Sequence, residues 1–186
     1  MSRNYRFHNP NAPYFVSFAV VEWLDVFTRN EYKDILVHNL EYCQREKGME
    51  IYAWCIMSNH IHLVFRSMNE IPPGRLLGDF KRHTSKQLVK AIKENIRESR
   101  KKILLEAFRR NGAKNSNVKD NQFWRQDNMP IELWSSKVIT QKIRYIHNNP
   151  VEQGIVFRAE DYQYSSAVDY SGEKGMLSGV VVVGLF

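Results

Sequence analysis

Two histidines one residue apart, His60 and His62, stand in the apolar run His60-Ile61-His62-Leu63-Val64-Phe65-Arg66. On a strand, side chains two residues apart project from the same face, so both imidazoles point together while Ile61 turns into the core. Two rings on one rigid face make half of a metal site. Hydrogen bonds from each ring to a neighbour account for the pair equally well, so the chemistry needs a further partner. A second constellation is Tyr145-Ile146-His147-Asn148-Asn149-Pro150. Tyr145 and Asn149 are four residues apart and share one face of a helix, which brings a hydroxyl and an amide to one place. That arrangement suits a nucleophile beside a ligand. Its plain alternative is an amphipathic core tyrosine with an asparagine closing the helix ahead of a proline.

The two constellations together resemble a known pattern. Trp54-Cys55-Ile56-Met57-Ser58-Asn59-His60-Ile61-His62-Leu63 resembles the His-hydrophobic-His motif of HUH endonucleases in its single-tyrosine transposase form. The segment from Tyr145 to Val156 is similar to the tyrosine-bearing segment of the REP-associated tyrosine transposase branch. Phe80-Lys81-Arg82-His83-Thr84-Ser85 and Phe123-Trp124-Arg125-Gln126 look like that branch too, and the likeness runs in order from Tyr14 to Tyr170. It implies a transposase that cleaves and rejoins single-stranded or hairpin DNA. Tyr145 would be the nucleophile, forming a 5′-phosphotyrosine link that preserves the bond for rejoining. His60, His62 and Asn149 would hold Mg²⁺ or Mn²⁺ against the phosphate oxygens. A phenol ionises near pH ~10, so a base or the metal must assist, and His147 is one candidate. The stretch from Arg97 to Asn121 and the apolar C-terminus depart from the pattern.

Charge supplies the partner. The chain carries 27 basic and 20 acidic residues, a formal net charge of +7. Between Lys81 and Arg110 stand eleven basic residues against three acidic ones, so that this segment alone is +8. A concentrated positive stripe binds phosphates by counterion release, and Lys81, Arg82, Lys86, Lys90, Lys93, Arg97 and Arg125 are its candidate DNA contacts. A solvated helix face is the alternative. Trp124, Trp134 and Arg125 are candidates for stacking on unpaired bases, with core packing the default for the tryptophans. A single-stranded nucleic-acid-binding module without chemistry is the first rival reading. A metallohydrolase that activates water at the histidines is the second.

The elements that must position these residues read as follows. Tyr14 to Phe27 reads as a strand with a bend near Glu22, and Asn30 to Lys47 as a helix stopped by Gly48. Glu50 to Met57 and His60 to Arg66 form a hairpin across Ser58-Asn59. A long helix follows Pro72 and Pro73, with Leu88, Ile92, Ile96 and Ile103 on one face and the lysines opposite. Asn111 to Asn121 is a loop, and Gln122 to Trp134 contains a strand. A helix capped by Ser135 or Ser136 ends by Asn149, because Pro150 disfavours helical geometry before it. The order β-α-β-β-α-β-α predicts an α+β fold, a ferredoxin-like or RRM-like antiparallel four-stranded sheet with helices on one face. Residues 1–158 would be the transposase domain, with a basic insertion and loop at 95–121, and 159–186 a C-terminal extension. Cys43 and Cys55 lack a CxxC spacing and no secretory leader is evident, which predicts a cytoplasmic protein. The run Gly179 to Phe186 is too short to span a membrane and is expected to pair as a strand or tail. Monomer and homodimer both remain open.

Overall fold

The computed structural model describes residues 7–116, 118 and 120–184. Strand β1 (Tyr14–Ala19) gives way to two short 3-10 turns, Val21–Trp23 and Val26–Thr28, before helix α1 (Asn30–Lys47). Tyr32, Leu36, Val37, Leu40 and Cys43 form the buried stripe of α1, and Gly48 ends it at φ 67°, its N–H bonded to the Cys43 carbonyl. That left-handed stop suits glycine. Strands β2 (Met49–Ile56) and β3 (His60–Ser67) pair antiparallel. The Met57 N–H closes on the His60 carbonyl at 2.8 Å, leaving Ser58 and Asn59 as the two-residue loop.

Helices α2 (Pro73–Glu94) and α3 (Lys101–Ala113), the short strand β4 (Ile131–Glu132) and helix α4 (Ser136–Glu152) complete the domain. The sheet order is β2-β3-β1-β4 with every pairing antiparallel. This is the four-stranded antiparallel α+β arrangement expected from the element order. Paired residues share a face, so Phe18, Ile61 and Leu63 lie on one side and Phe15, His60 and His62 on the other. The first side packs against α1 and α2, with Phe18 meeting Phe80 of α2 at 6.2 Å between ring centroids. Helix α4 lies across the second side, where Tyr145 meets Phe15 at 5.9 Å. The sheet is therefore covered on both faces rather than on the one expected, because α4 buries its own apolar stripe against the second side, and this α4 layer carries the nucleophile candidate.

Four local expectations are corrected. The first strand stops at Ala19, short of Phe27. The long helix breaks after Glu94: Asn95 bonds the Tyr32 hydroxyl at 3.1 Å, and Glu98, 4% exposed, receives Arg29 and Arg100. A buried carboxylate with two guanidinium partners pins the chain there and overrides helical periodicity. Ile96 and Ile103, expected on the apolar face, are 94% and 64% exposed. Helix α3 reaches Ala113 inside the expected loop, of which residues 117 and 119 lie outside the described set. Helix α4 runs through Pro150 to Glu152. Burial of Ile146, His147, Asn149 and Pro150 outweighs the local preference of the residue before proline, and the lost N–H bond falls in the last turn.

Beyond residue 158 the chain packs along β2, an edge strand of the sheet. Ile56 N–H bonds the Tyr164 carbonyl at 3.0 Å, Ser166 N–H bonds the Trp54 carbonyl at 2.9 Å, and Val181 N–H bonds the Ile51 carbonyl at 2.9 Å. The apolar run thus lies against β2 without forming a regular strand, Leu185 and Phe186 lying outside the described residues. No helix among the described residues is long and apolar enough to cross a membrane.

Candidate active site

Strand β3 delivers His60 and His62 to the α4 face, both nine-tenths or more buried. Their Nε2 atoms are 3.0 Å apart. Two ligand atoms at right angles about 2.1 Å from a shared cation are about 3.0 Å apart, so the spacing is that of neighbouring positions in an octahedral shell. His60 Nδ1 bonds Asn59 Oδ1 at 2.7 Å, the outer contact that fixes the orientation of a ligating imidazole. His62 Nδ1 is buried with no hydrogen-bond partner among the described residues.

Burial holds the His60 ring below the usual imidazole range. Burial, then the neighbouring His60, pushes His62 down to about 3, Lys142 adding to the fall and hydrogen bonding with Asn149 opposing it. Both rings are therefore neutral at physiological pH, the form that donates a lone pair to a metal.

Helix α4 brings the other half. The Tyr145 ring lies 5.3 Å from His62, edge to face, and remains 44% exposed. Asn149 is buried; its Nδ2 donates to the Tyr145 carbonyl at 3.2 Å, leaving the amide oxygen for the His62 side. All four residues picked out by strand and helix periodicity thus meet on one face of the sheet. Among the described residues no group of three or more His, Cys, Asp or Glu is poised to hold a metal. A cation held here would draw on two imidazoles and an amide, with the remaining positions left to oxygen from outside the chain.

Three neighbours of this site carried no separate weight in the sequence. Lys142, one turn before Tyr145, places Nζ 5.5 Å from the Tyr145 ring centroid and 4.8 Å from that of Phe15. Asn59 Nδ2 reaches the Trp23 carbonyl at 3.2 Å and Asp25 Oδ1 at 3.0 Å while its Oδ1 holds His60. Trp23 stands edge-on to His60 at 6.0 Å and is 53% exposed. Glu22 and Trp23 take φ of 54° and 56°, a left-handed conformation costing about 1–2 kcal/mol per non-glycine residue. The sequence marks a bend near Glu22 but not this conformation, because Glu22 is fixed by Arg110 and Asn111 from α3, at 2.7 Å and 2.8 Å.

The remaining candidates divide. Lys86, Lys90, Lys93 and Arg97 are exposed, the first three on α2 and Arg97 just past its end. They lie on the α1–α2 side of the sheet, opposite the histidines. Arg82 is exposed but ion-paired with Asp79. Lys81 turns inward: its ammonium donates to the Arg125 carbonyl at 2.8 Å and to Asn128 Oδ1, and lies 5.1 Å from the Phe18 ring. It supports the chain at Arg125 rather than extending the stripe. Arg125 sets its guanidinium 5.1 Å from the Trp23 ring. Trp124 is core, 5% exposed and bonded to Thr84, whereas Trp134 is 79% exposed. His147, the candidate base, is buried, bonded to Ser166 Oγ at 2.8 Å, and held down to about 4 by burial.

Residues 20–108 match the family model described as Transposase IS200 like. No curated protein gives a significant match. Among solved structures, one described as the REP-associated tyrosine transposase bound to a REP hairpin aligns over 100% of this chain and 94% of its own, at 17% identity and a TM-score of 0.63. Another, provisionally named a transposase of Deinococcus radiodurans, aligns over 80% of this chain and 97% of its own, at 18% identity and a TM-score of 0.44. The family match includes the histidine motif and stops before Tyr145, so the tyrosine half of the site rests on the geometry of α4. Residues 20–108 thus match the IS200-like transposase model, the family that the paired motifs resemble, and the chain shares its fold with a REP-associated tyrosine transposase.

Proposed function

We propose that this transposase cuts and rejoins single-stranded or hairpin DNA through Tyr145, with Mg²⁺ or Mn²⁺ held by His60, His62 and Asn149. The observation that carries the reading is the meeting of two half-sites: Tyr145 lies 5.3 Å from His62, whose Nε2 is 3.0 Å from that of His60. A binding module has no use for that conjunction. The bound cation would supply charge neutralisation at the scissile phosphate oxygens.

The chain's own residues do the rest. Tyr145 Oη attacks phosphorus, the bond from phosphorus to the 3′ oxygen breaks, and that oxygen leaves as a 3′-hydroxyl after taking up a proton. The ester formed on Tyr145 stores the phosphodiester for attack by another 3′-hydroxyl. Lys142, with Nζ 5.5 Å from the Tyr145 ring centroid, is a cation beside the tyrosine that can meet an oxygen of the incoming phosphate. Asn59 keeps the His60 ring in register. The REP hairpin held by the structural relative makes hairpin DNA the first substrate to try. On this reading residues 1–158 form the catalytic domain, 95–121 a basic insertion within it, and 159–186 an extension bracing the sheet.

The test uses labelled hairpin DNA with single-stranded flanks of mixed sequence, Mn²⁺, and a denaturing gel. The wild type gives a protein-linked band, Tyr145→Phe binds DNA but gives neither adduct nor 3′-hydroxyl product, and His60→Ala loses cleavage that added Mn²⁺ partly restores. Cleavage by Tyr145→Phe at the wild-type rate would instead mark a water-activating metallohydrolase.

A further inference from the structure

Trp23 is an unusual surface residue. A large apolar ring is presented to solvent by two consecutive left-handed residues. The chain spends an ion pair and several hydrogen bonds to keep it there. Arg110 Nη2 meets both oxygens of Glu22, at 2.9 Å and 2.7 Å, and Asn111 adds a third contact. On the other side Asn59 grips the Trp23 carbonyl and, through the opposite end of the same amide, His60 Nδ1. The ring is thereby tied to a residue of the active site. Its centroid is 6.0 Å from that of His60, and the Arg125 guanidinium lies 5.1 Å from it. Arg125 is fixed in turn, its N–H on the Ala19 carbonyl at 2.8 Å and its carbonyl on Lys81.

Packing does not explain the arrangement, since half the ring faces water. Ligand binding does. A planar cation over one face of an exposed indole suits an unpaired nucleotide: the base stacks on the other face of the ring and the phosphate meets the guanidinium. We propose that Trp23 and Arg125 form a stacking subsite for the unpaired nucleotide next to the one whose phosphate is cut, which fixes that phosphate over His60 and His62. The inference rests on the single-strand cleavage reading above and deepens it by naming where an adjacent base is held. Any base has a face to stack, so the subsite selects for an unpaired strand more than for a sequence.

The test is made on Tyr145→Phe protein, so that binding is measured without chemistry, and with Trp134→Phe added to remove the other well-exposed indole. Short single-stranded DNA of mixed sequence is titrated while tryptophan emission is followed. Emission should be quenched on binding; Trp23→Ala should abolish most of the quench and weaken binding by about five- to a hundredfold, the worth of one stacked base. Trp23→Phe should recover most of the affinity, and fully base-paired DNA of the same composition should not quench. If Trp23→Ala binds single strands as tightly as its parent, the subsite is wrong and the cleavage reading stands. If the parent binds no single-stranded DNA at all, the cleavage reading falls and the subsite with it.

Discussion

Lys81 illustrates how a single residue can be charged in composition and neutral in effect. Burial pushes its ammonium down to about 7, only partly opposed by Asp127. The unfolded chain keeps that proton to about pH 10, so between about pH 7 and 9 the unfolded state binds more protons and stability rises with pH. Below pH 7 both states are protonated and the dependence vanishes. The buried thiols Cys43 and Cys55, whose ionisation is pushed up to about 11 and about 12, act in the opposite sense above the ordinary thiol range. The comparison is therefore made by difference: denaturant melts of Lys81→Met should lack the rise between pH 7 and 9 that the wild type shows, by a few kcal/mol at most. Equal slopes would mean the ammonium stays hydrated. At this scale the sequence was informative where periodicity alone decides direction. His60, His62, Tyr145 and Asn149 project as strand and helix geometry require. Lys81 and Trp23 were illegible, because their orientations depend on Asn128, 47 residues from Lys81, and on Arg110, 88 residues from the Glu22 that it holds.

Elements follow the same division. Helix α1, the β2–β3 hairpin and the Ser135 cap, whose Oγ accepts from Val138 N–H, were legible because each has a local signal: an apolar stripe stopped by Gly48, two apolar runs across a short polar pair, and a serine at the helix start. The break after Glu94 was not, since it is imposed by Glu98 binding Arg29 of a distant turn. That break changes the meaning of the basic stripe. Arg100 is committed to Glu98 and Arg110 to Glu22, as Arg82 is to Asp79, so much of the segment's +8 serves the fold. Lys86, Lys90, Lys93 and Arg97 remain exposed on the side of the sheet away from the histidines. On the cleavage reading they would hold duplex or flanking phosphates at a distance from the cut. Replacing all four with glutamine should lower the log-log salt slope of DNA binding by about 0.7–0.9 for each phosphate no longer neutralised, while leaving cleavage at saturating DNA near its wild-type rate. Filter binding across a salt series reads the slope, and an unchanged slope would reduce the stripe to a solvated face.

At the scale of the molecule the sheet is closed on both faces and along one edge. Segments around Tyr164, Ser166 and Val181 occupy the outer hydrogen-bonding side of β2, and the Tyr170 hydroxyl bonds the Tyr52 carbonyl at 2.9 Å. An uncovered edge strand is a template for a second copy, so this extension blocks sheet-to-sheet joining there. Its apolar character was plain in the sequence, but not its place, because pairing with β2 depends on how the chain returns after α4. That return also carries Ser166, whose bond to His147 ties helix α4 to the covered edge. Helix α4 therefore lays Tyr145 over the histidines of its own chain. The genetic consequence is that two crippled copies cannot rescue one another. Mixing Tyr145→Phe with His60→Ala protein should give no more DNA adduct than either alone at any ratio, and recovery approaching a quarter or half of wild type would show tyrosines exchanged between subunits.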